Sequence, residues 1–209
     1  MSNPLTSELS RVVRVLLGIA AGVKHLLPKP VQRLVLLYAF GSHRQNAEVA
    51  PQANRRCLGE EIIPHLAAQN LTALFVGTSS YTFHYERHFG PKTYTTIDPN
   101  PGQAVWGSQD HIVTRVQDIG LHRPAGSFDR AVLNGVFGYG VNDPPAMRAT
   151  AQALHDVLRP GGQLIFGWNT DAHAEPETLG VFTGLFARSL EPRRTFAGET
   201  HVYDFYVRQ

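Results

Sequence analysis

The stretch from Leu71 to Asp98, LTALFVGTSSYTFHYERHFGPKTYTTID, constrains the fold more than any other part of the chain. Thr72 to Val76 is a short apolar run of the kind that forms a buried parallel strand, and it ends at Gly77. Thr78, Ser79 and Ser80 are small and polar, as a turn into a helix requires. Tyr81 to His88 fits that helix, and Gly90-Pro91 stops it. Lys92 to Ile97 is a second β-rich run ending in Asp98. Strand, turn, helix, strand and acid is the layout of a nucleotide-binding βαβ unit. Asp98 follows Gly77 at the spacing of about 20 residues expected for an acid that takes ribose hydroxyls. The glycine fingerprint is incomplete: Ser79 and Tyr81 stand where further glycines belong, so the backbone approaches a ligand less closely there.

The remainder alternates in the same way. Cys57 to Gln69 has helical spacing at Leu58, Ile62, Ile63, Leu66 and Ala67. After the turn Pro99–Gly102, Gln103 to Ser108 reads as a short helix and His111 to Val116 as a third strand leading to Asp118-Ile119. Phe128 to Gly135 is a fourth strand, Ala146 to Leu158 an amphipathic helix, and Gln163 to Trp168 a fifth strand. Glu177 to Leu190 reads as a further helix. Arg194 to Ala197 and His201 to Arg208, joined through Gly198, read as a terminal antiparallel hairpin. The pattern predicts an α/β fold: a doubly wound, mostly parallel, seven-stranded Rossmann-like sheet with a C-terminal antiparallel hairpin and an N-terminal helical cap. Residues 1–55 are expected to form that cap and a loop, and 56–209 the Rossmann-like domain.

In the cap, Val12 to Leu27 is apolar, but Arg14 and Lys24 limit the uncharged run to Val15–Val23, about half the ~20 residues a spanning helix needs. No stable membrane insertion is expected. The spacing predicts an amphipathic helix from Glu8 to Leu27 and a second from Val31 to Phe40. They can cover the site, form a homodimer face or rest on a membrane surface, and packing into the core is the ordinary use of such stripes. Gly41 to Arg55 is polar and aperiodic, a loop or lid. The single cysteine, Cys57, excludes a disulfide framework and fits a reducing, cytoplasmic setting. A net charge of +2 with dispersed arginines and no basic stripe argues against nucleic acid and for a small-molecule acceptor.

Several segments together resemble the class I S-adenosylmethionine-dependent methyltransferases. Leu158-Arg159-Pro160-Gly161-Gly162-Gln163-Leu164-Ile165 looks like the family's L-[RK]-P-G-G-x-[LF]-[VI] signature before the fifth strand, and Phe128-Asp129-Arg130-Ala131-Val132 resembles its F-D-x-[VI] fourth strand. Asp98 matches the acid ending the second strand and Asp118 the acid after the third, all in the family's order from Leu71 to Trp168. The departure is the first motif, where Phe75 stands in place of an acid and Ser79 and Tyr81 in place of glycines. The resemblance implies S-adenosylmethionine as cofactor. It implies that Gly77, Thr78 and Ser79 line the cofactor, that Asp98, with Pro99 after it, takes the ribose, that Asp118 accepts from the adenine amine with Ile119 near the ring, and that Asn134 and Gly135 sit beside the methionine portion.

Methyl transfer to an oxygen or nitrogen of a small molecule follows from the same resemblance. Alignment supplies much of the rate in such a displacement, and a base is needed only when the acceptor must lose a proton. Tyr139 could wall the acceptor pocket, Asn169 could orient the acceptor, and His173 is the best base by its ordinary pKa. A catalytically inactive methyltransferase-fold subunit acting as a binding or regulatory partner is the alternative, resting on Phe75 and the missing glycines. Weaker constellations stand beside these: Ser79 as a hydrolase nucleophile with His201 or His173, a metal pair at His84 and His88, and a nicotinamide dehydrogenase using Asp98. No metal site is expected.

Overall fold

A computed structural model describes residues 26–39, 41–68 and 70–209. The first expected helix, Glu8 to Leu27, lies almost wholly outside them. The second is present as α1 (Lys29–Ala39). The expected loop after it is instead largely helical. Gly41, at φ 77°, opens α2 (Ser42–Val49), none of whose residues is buried. A longer helix, α3, then runs over 53–67 across the boundary expected at 55 and 56. Glu199 explains where α3 begins: its carboxylate accepts from the N–H groups of Ala53 (2.8 Å) and Asn54 (3.3 Å), supplying an anion to the helix N-terminus from a distant part of the chain. Pro64 explains its middle. A proline has no N–H and its ring collides with the carbonyl four residues back. The helix widens to π geometry over Cys57–Ile62, with Ile63 N–H bonded to the Leu58 carbonyl.

The strands are β1 (Ala73–Val76), β2 (Tyr94–Asp98), β3 (Asp110–Val113), β4 (Phe128–Asn134), β5 (Leu158–Asn169), β6 (Phe186–Arg188), β7 (Arg194–Thr195) and β8 (His201–Arg208). The sheet order is β3-β2-β1-β4-β5-β8-β6, with β7 also paired to β8. β1 to β5 are parallel, and β8 returns antiparallel to β5, β6 and β7. The expected seven strands are all present, and β6 is an eighth. It replaces part of the helix expected over Glu177 to Leu190. Gly180 and Gly184 take φ 64° and 72°, which right-handed helix forbids. Arg148 from the helix α4 (Pro144–Val157) donates from Nη1 to the carbonyls of Gly180 (2.9 Å), Val181 (3.3 Å) and Thr183 (2.8 Å), so this backbone is satisfied without being helical.

Alternation along the strands divides the core into two layers. Leu74, Val76, Leu133, Leu164, Phe166 and Trp168 face α4. Phe75, Val132, Ile165, Tyr203 and Phe205 face α3. The helix expected after β1 is a tighter 3-10 segment, Phe83–His88. Tyr85 from it packs edge-on to Phe75 at 5.7 Å between ring centres, opposite Gly59, where an added Cβ would lie 3.1 Å from the tyrosine ring. Phe75 thus serves the core at the position where the family carries an acid.

Candidate active site

Strand register fixes what meets at the carboxyl edge. Val76 pairs with Ile97 and with Leu133, so Gly77 lies beside Asp98 on one side and Asn134 on the other. Asn134 in turn pairs with Gly167. β1 and β4 flank the point where strand order reverses, the place at which open α/β sheets bind ligands.

The half at β1 and β2 is made mostly of backbone. Gly77 has φ 84° and donates its N–H to the Ile97 carbonyl at 2.9 Å. Nothing lies within 4 Å of where its Cβ would be, so the turn presents bare backbone to open space. Asp98 is held from two sides: Oδ2 accepts from Thr78 N–H at 3.0 Å and Oδ1 from Asn100 N–H at 2.8 Å. Each carboxylate oxygen keeps a further lone pair, so Asp98 is oriented yet able to accept from two neighbouring hydroxyls. Pro99 follows it, exposed. Thr78 and Ser79 are less free than expected. Thr78 spends its N–H on Asp98 and its hydroxyl on the Gln103 carbonyl (3.1 Å), and Ser79 spends its N–H on Thr82 Oγ1 (2.9 Å). Both shape the turn.

Beyond β3, Asp118 Oδ2 accepts from Arg115 Nε at 2.8 Å and stays partly exposed. Ile119 is fully buried in the α4-side core, so its side chain has no face for an adenine ring. That expectation is corrected by the turn geometry, which points residue 119 inward and 118 outward.

The half at β4, β5 and β8 is made of side chains. His201, only 3% exposed, reaches Asn169 Oδ1 through Nδ1 (2.9 Å) and Asn134 Oδ1 through Nε2 (3.1 Å). Asn169 Nδ2 donates on to Thr200 Oγ1 at 3.0 Å. Burial, helped by the positive charge of Arg55, pushes the His201 pKa down to about 4, so the ring is neutral. A neutral ring donates from one nitrogen and accepts at the other, which requires one of the two asparagines to present its amide N–H. Gly167 makes the cluster possible: a Cβ there would fall 2.6 Å from the Tyr203 ring and 3.0 Å from His201 Nε2, and closer still to Asn134 Oδ1. Gly135, at φ 63°, again opens onto free space beside Asn134.

The three residues expected to act on the acceptor are not brought to one place. Asn169 joins His201 and Asn134 on the α3 side. His173 lies on the α4 side, stacked on Trp168 at 4.8 Å and edge-on to Phe137 at 5.8 Å. Its Nδ1 donates to the Ala174 carbonyl at 2.7 Å, since a carbonyl can only accept, and this leaves Nε2 as the proton acceptor, buried and without a partner among the described residues. Tyr139 is 66% exposed on the β4–α4 loop rather than walling a pocket. Around His84 and His88, as elsewhere among the described residues, no group of three or more His, Cys, Asp or Glu side chains comes together.

Sequence reading passed over Arg55. It sits in the first turn of α3 with its guanidinium 4.8 Å over the Tyr81 ring, lining a pocket of about 130 Å³ with Tyr81, His84 and Tyr85. Its Nε and Nη1 are buried and have no hydrogen-bond partner among the described residues. A half-buried cation with two unpartnered donors beside the first turn suits an anion. The only advance signal was an arginine one helix upstream of β1.

The methyltransferase-domain family model matches residues 75–166, the span from β1 through β5. That span of the chain matches as a methyltransferase domain. Solved structures agree in fold. The N-methyltransferase NodS from Bradyrhizobium japonicum in complex with S-adenosylhomocysteine superposes with a TM-score of 0.59 at 19% identity, over 80% of this chain and 96% of that one. The 1,6-didemethyltoxoflavin-N1-methyltransferase from Burkholderia thailandensis gives 0.52 at 15% identity, over 85% and 88%. A TehB-like methyltransferase from Corynebacterium glutamicum gives 0.55 at 13% identity, over 71% and 85%. At these identities the likeness is one of fold. No curated protein matches the sequence. Open α/β sheets bind ligands at the carboxyl edge just described, and the residues there fit the cofactor: an acid with a lone pair left on each oxygen, two open glycines and a cation with two unpartnered donors among the described residues.

Proposed function

We propose that this methyltransferase moves the methyl group of S-adenosylmethionine to an oxygen or nitrogen atom of a small molecule. The observation that carries the reading is Asp98, clamped by Thr78 and Asn100 N–H groups with a lone pair left on each oxygen, next to the open backbone of Gly77. Asp98 would hold the ribose, Gly77 would let the turn pass close, and Arg55 would take the carboxylate of the methionine portion. Asp118 would accept from the adenine amine by sharing its carboxylate with Arg115.

The cofactor supplies an activated methyl group on a sulfonium, whose departure as a neutral thioether needs no acid. What the protein adds is alignment and exclusion of water. Asn134 and Asn169, locked by His201, would present amide groups to an acceptor above Gly135. His201 itself is too weak a base to deprotonate that acceptor. His173 Nε2 has the right tautomer but lies on the other face of the sheet, so it would act only on an acceptor reaching past Trp168. Two of the similar structures are named for N-methylation, which supports nitrogen as one target class. The N-terminal helices would close over the acceptor, since Gln45 of α2 already accepts from Ser80 Oγ at 3.1 Å across the first turn.

Calorimetric titration with S-adenosylmethionine, S-adenosylhomocysteine and NAD tests the reading. Binding of the first two alone supports it. Failure of all three would replace it with a methyltransferase fold that serves as a binding or regulatory partner.

A further inference from the structure

The turn between β7 and β8 grips the first turn of α3, the turn that carries Arg55. Glu199 accepts from Ala53 N–H at 2.8 Å and from Asn54 N–H at 3.3 Å. Tyr203, on β8, donates its hydroxyl to the Asn54 carbonyl at 3.2 Å. The peptide groups on both sides of Asn54 are thus tied to β8 and to the turn before it, and Arg55 is the next residue. Glu199 is itself held by that turn. Its N–H donates to the Phe196 carbonyl at 3.1 Å, Gly198 takes φ 76°, and the Phe196 ring meets Tyr203 edge-on at 6.0 Å. The first N–H groups of a helix have no partner within the helix, so an acceptor from elsewhere decides whether its start stays in place.

We propose that Glu199 is a positioning residue for the cofactor: it holds the first turn of α3 so that the Arg55 guanidinium stands over Tyr81, ready for the methionine carboxylate. This role rests on Arg55 taking that carboxylate. Two observations single Glu199 out. Its oxygens are spent on backbone N–H groups and not on the guanidinium beside them, whose Nε and Nη1 stay without a hydrogen-bond partner among the described residues. An acid so close to Arg55 therefore fixes the backbone and leaves the cation free for a second anion. The guanidinium also has little else to steady it. Its printed side-chain contact is the Tyr81 ring, 4.8 Å away, and an arginine side chain has many rotamers to choose from. Its place is then set by where α3 starts, and Glu199 sets that start.

The test is a double-mutant cycle on the full chain, read by calorimetric titration with S-adenosylhomocysteine. Glu199→Ala should weaken binding about fivefold, the equivalent of one lost helix cap. Added to Arg55→Met, it should cost nothing further, because the group it positions is already gone. Glu199→Gln keeps an accepting oxygen at the helix start and preserves the fold should the alanine variant not. It should lose about twofold, again only while Arg55 is present. A merely structural cap would weaken binding by the same factor with and without Arg55, and that result would overturn the role. So would unchanged affinity in both Glu199 variants. Affinity that falls with Arg55→Met but not with the Glu199 variants sinks this role alone. Affinity untouched by Arg55→Met sinks the Arg55 assignment and this role with it, as would a parent chain that does not bind.

Discussion

The two halves of the carboxyl edge are built in opposite ways. At β1 and β2 the working parts are backbone N–H groups, open glycine and one carboxylate, all within a short stretch of chain. At β4, β5 and β8 they are side chains from three strands, Asn134, Asn169 and His201, packed around the missing side chain of Gly167. The first half can be changed without disturbing the core, because its ligand-facing atoms look onto open space. The second is part of the core and carries its polarity at the cost of space and charge. Function and stability should therefore separate in the first half and run together in the second.

The largest effect is expected from Gly167→Ala. The added methyl has no place among Asn134, Tyr203 and His201, and overpacking of this kind costs about 3 kcal/mol. Urea unfolding should show it, and a variant as stable as the parent would break the idea of a crowded second half. Asp98→Ala comes next: loss of charge-assisted bonds worth about 2 kcal/mol should weaken S-adenosylhomocysteine some thirtyfold in calorimetry while moving the melting temperature little. Unchanged affinity would remove the ribose assignment. Arg55→Met keeps the packing over Tyr81 and should cost about tenfold in affinity, as one lost ion pair does. Because the Arg55 charge helps hold the His201 pKa down, the same variant should raise it, visible in the imidazole NMR titration. The smallest effect is a pH dependence. His201 is neutral in the folded protein down to about 4 but titrates near 6.5 when unfolded, so its contribution is intact above 6.5 and is lost as pH falls from there toward 4. Unfolding free energy should drop by about 1 kcal/mol between pH 7 and 5.5 from this group alone. His201→Gln should flatten that slope; a slope that persists belongs to other groups.

Outside the site, the buried Asp204 shows how the protein manages charge when it must. It lies in the middle of β8 with no exposure, and it accepts from Trp168 Nε1 (2.8 Å) and from Arg193 Nε and Nη2 (2.7 and 2.8 Å). Arg193 also grips Glu175 at 2.8 Å, and these two carboxylates push its pKa further up. The network ties the β5–β6 connection to the sheet where a helix was expected. Arg55 is treated differently: its Nε and Nη1 have no hydrogen-bond partner among the described residues, which supports its proposed place beside the cofactor.

What the sequence determined by itself is local or repeated. Apolar runs of strand length separated by helical stripes gave the strands and the mostly parallel sheet, because each run is bounded by its own turn residues; the strand order came from the tertiary structure. Gly77 and Asp98 were legible for the same reason: both lie on one βαβ unit whose geometry is set by neighbours in the chain. The tertiary structure decided the rest. His201 was visible only as a lone histidine until antiparallel pairing of β8 with β5 set it across from Asn169 and next to Asn134. Arg55 and Glu199 gained meaning only through contacts with distant residues. The helix expected after β5 became turns and a strand because Arg148, from another element, satisfies its carbonyls. Periodicity reports which residues share a face. Only packing decides which way that face turns, since the partners that settle it lie far away in sequence.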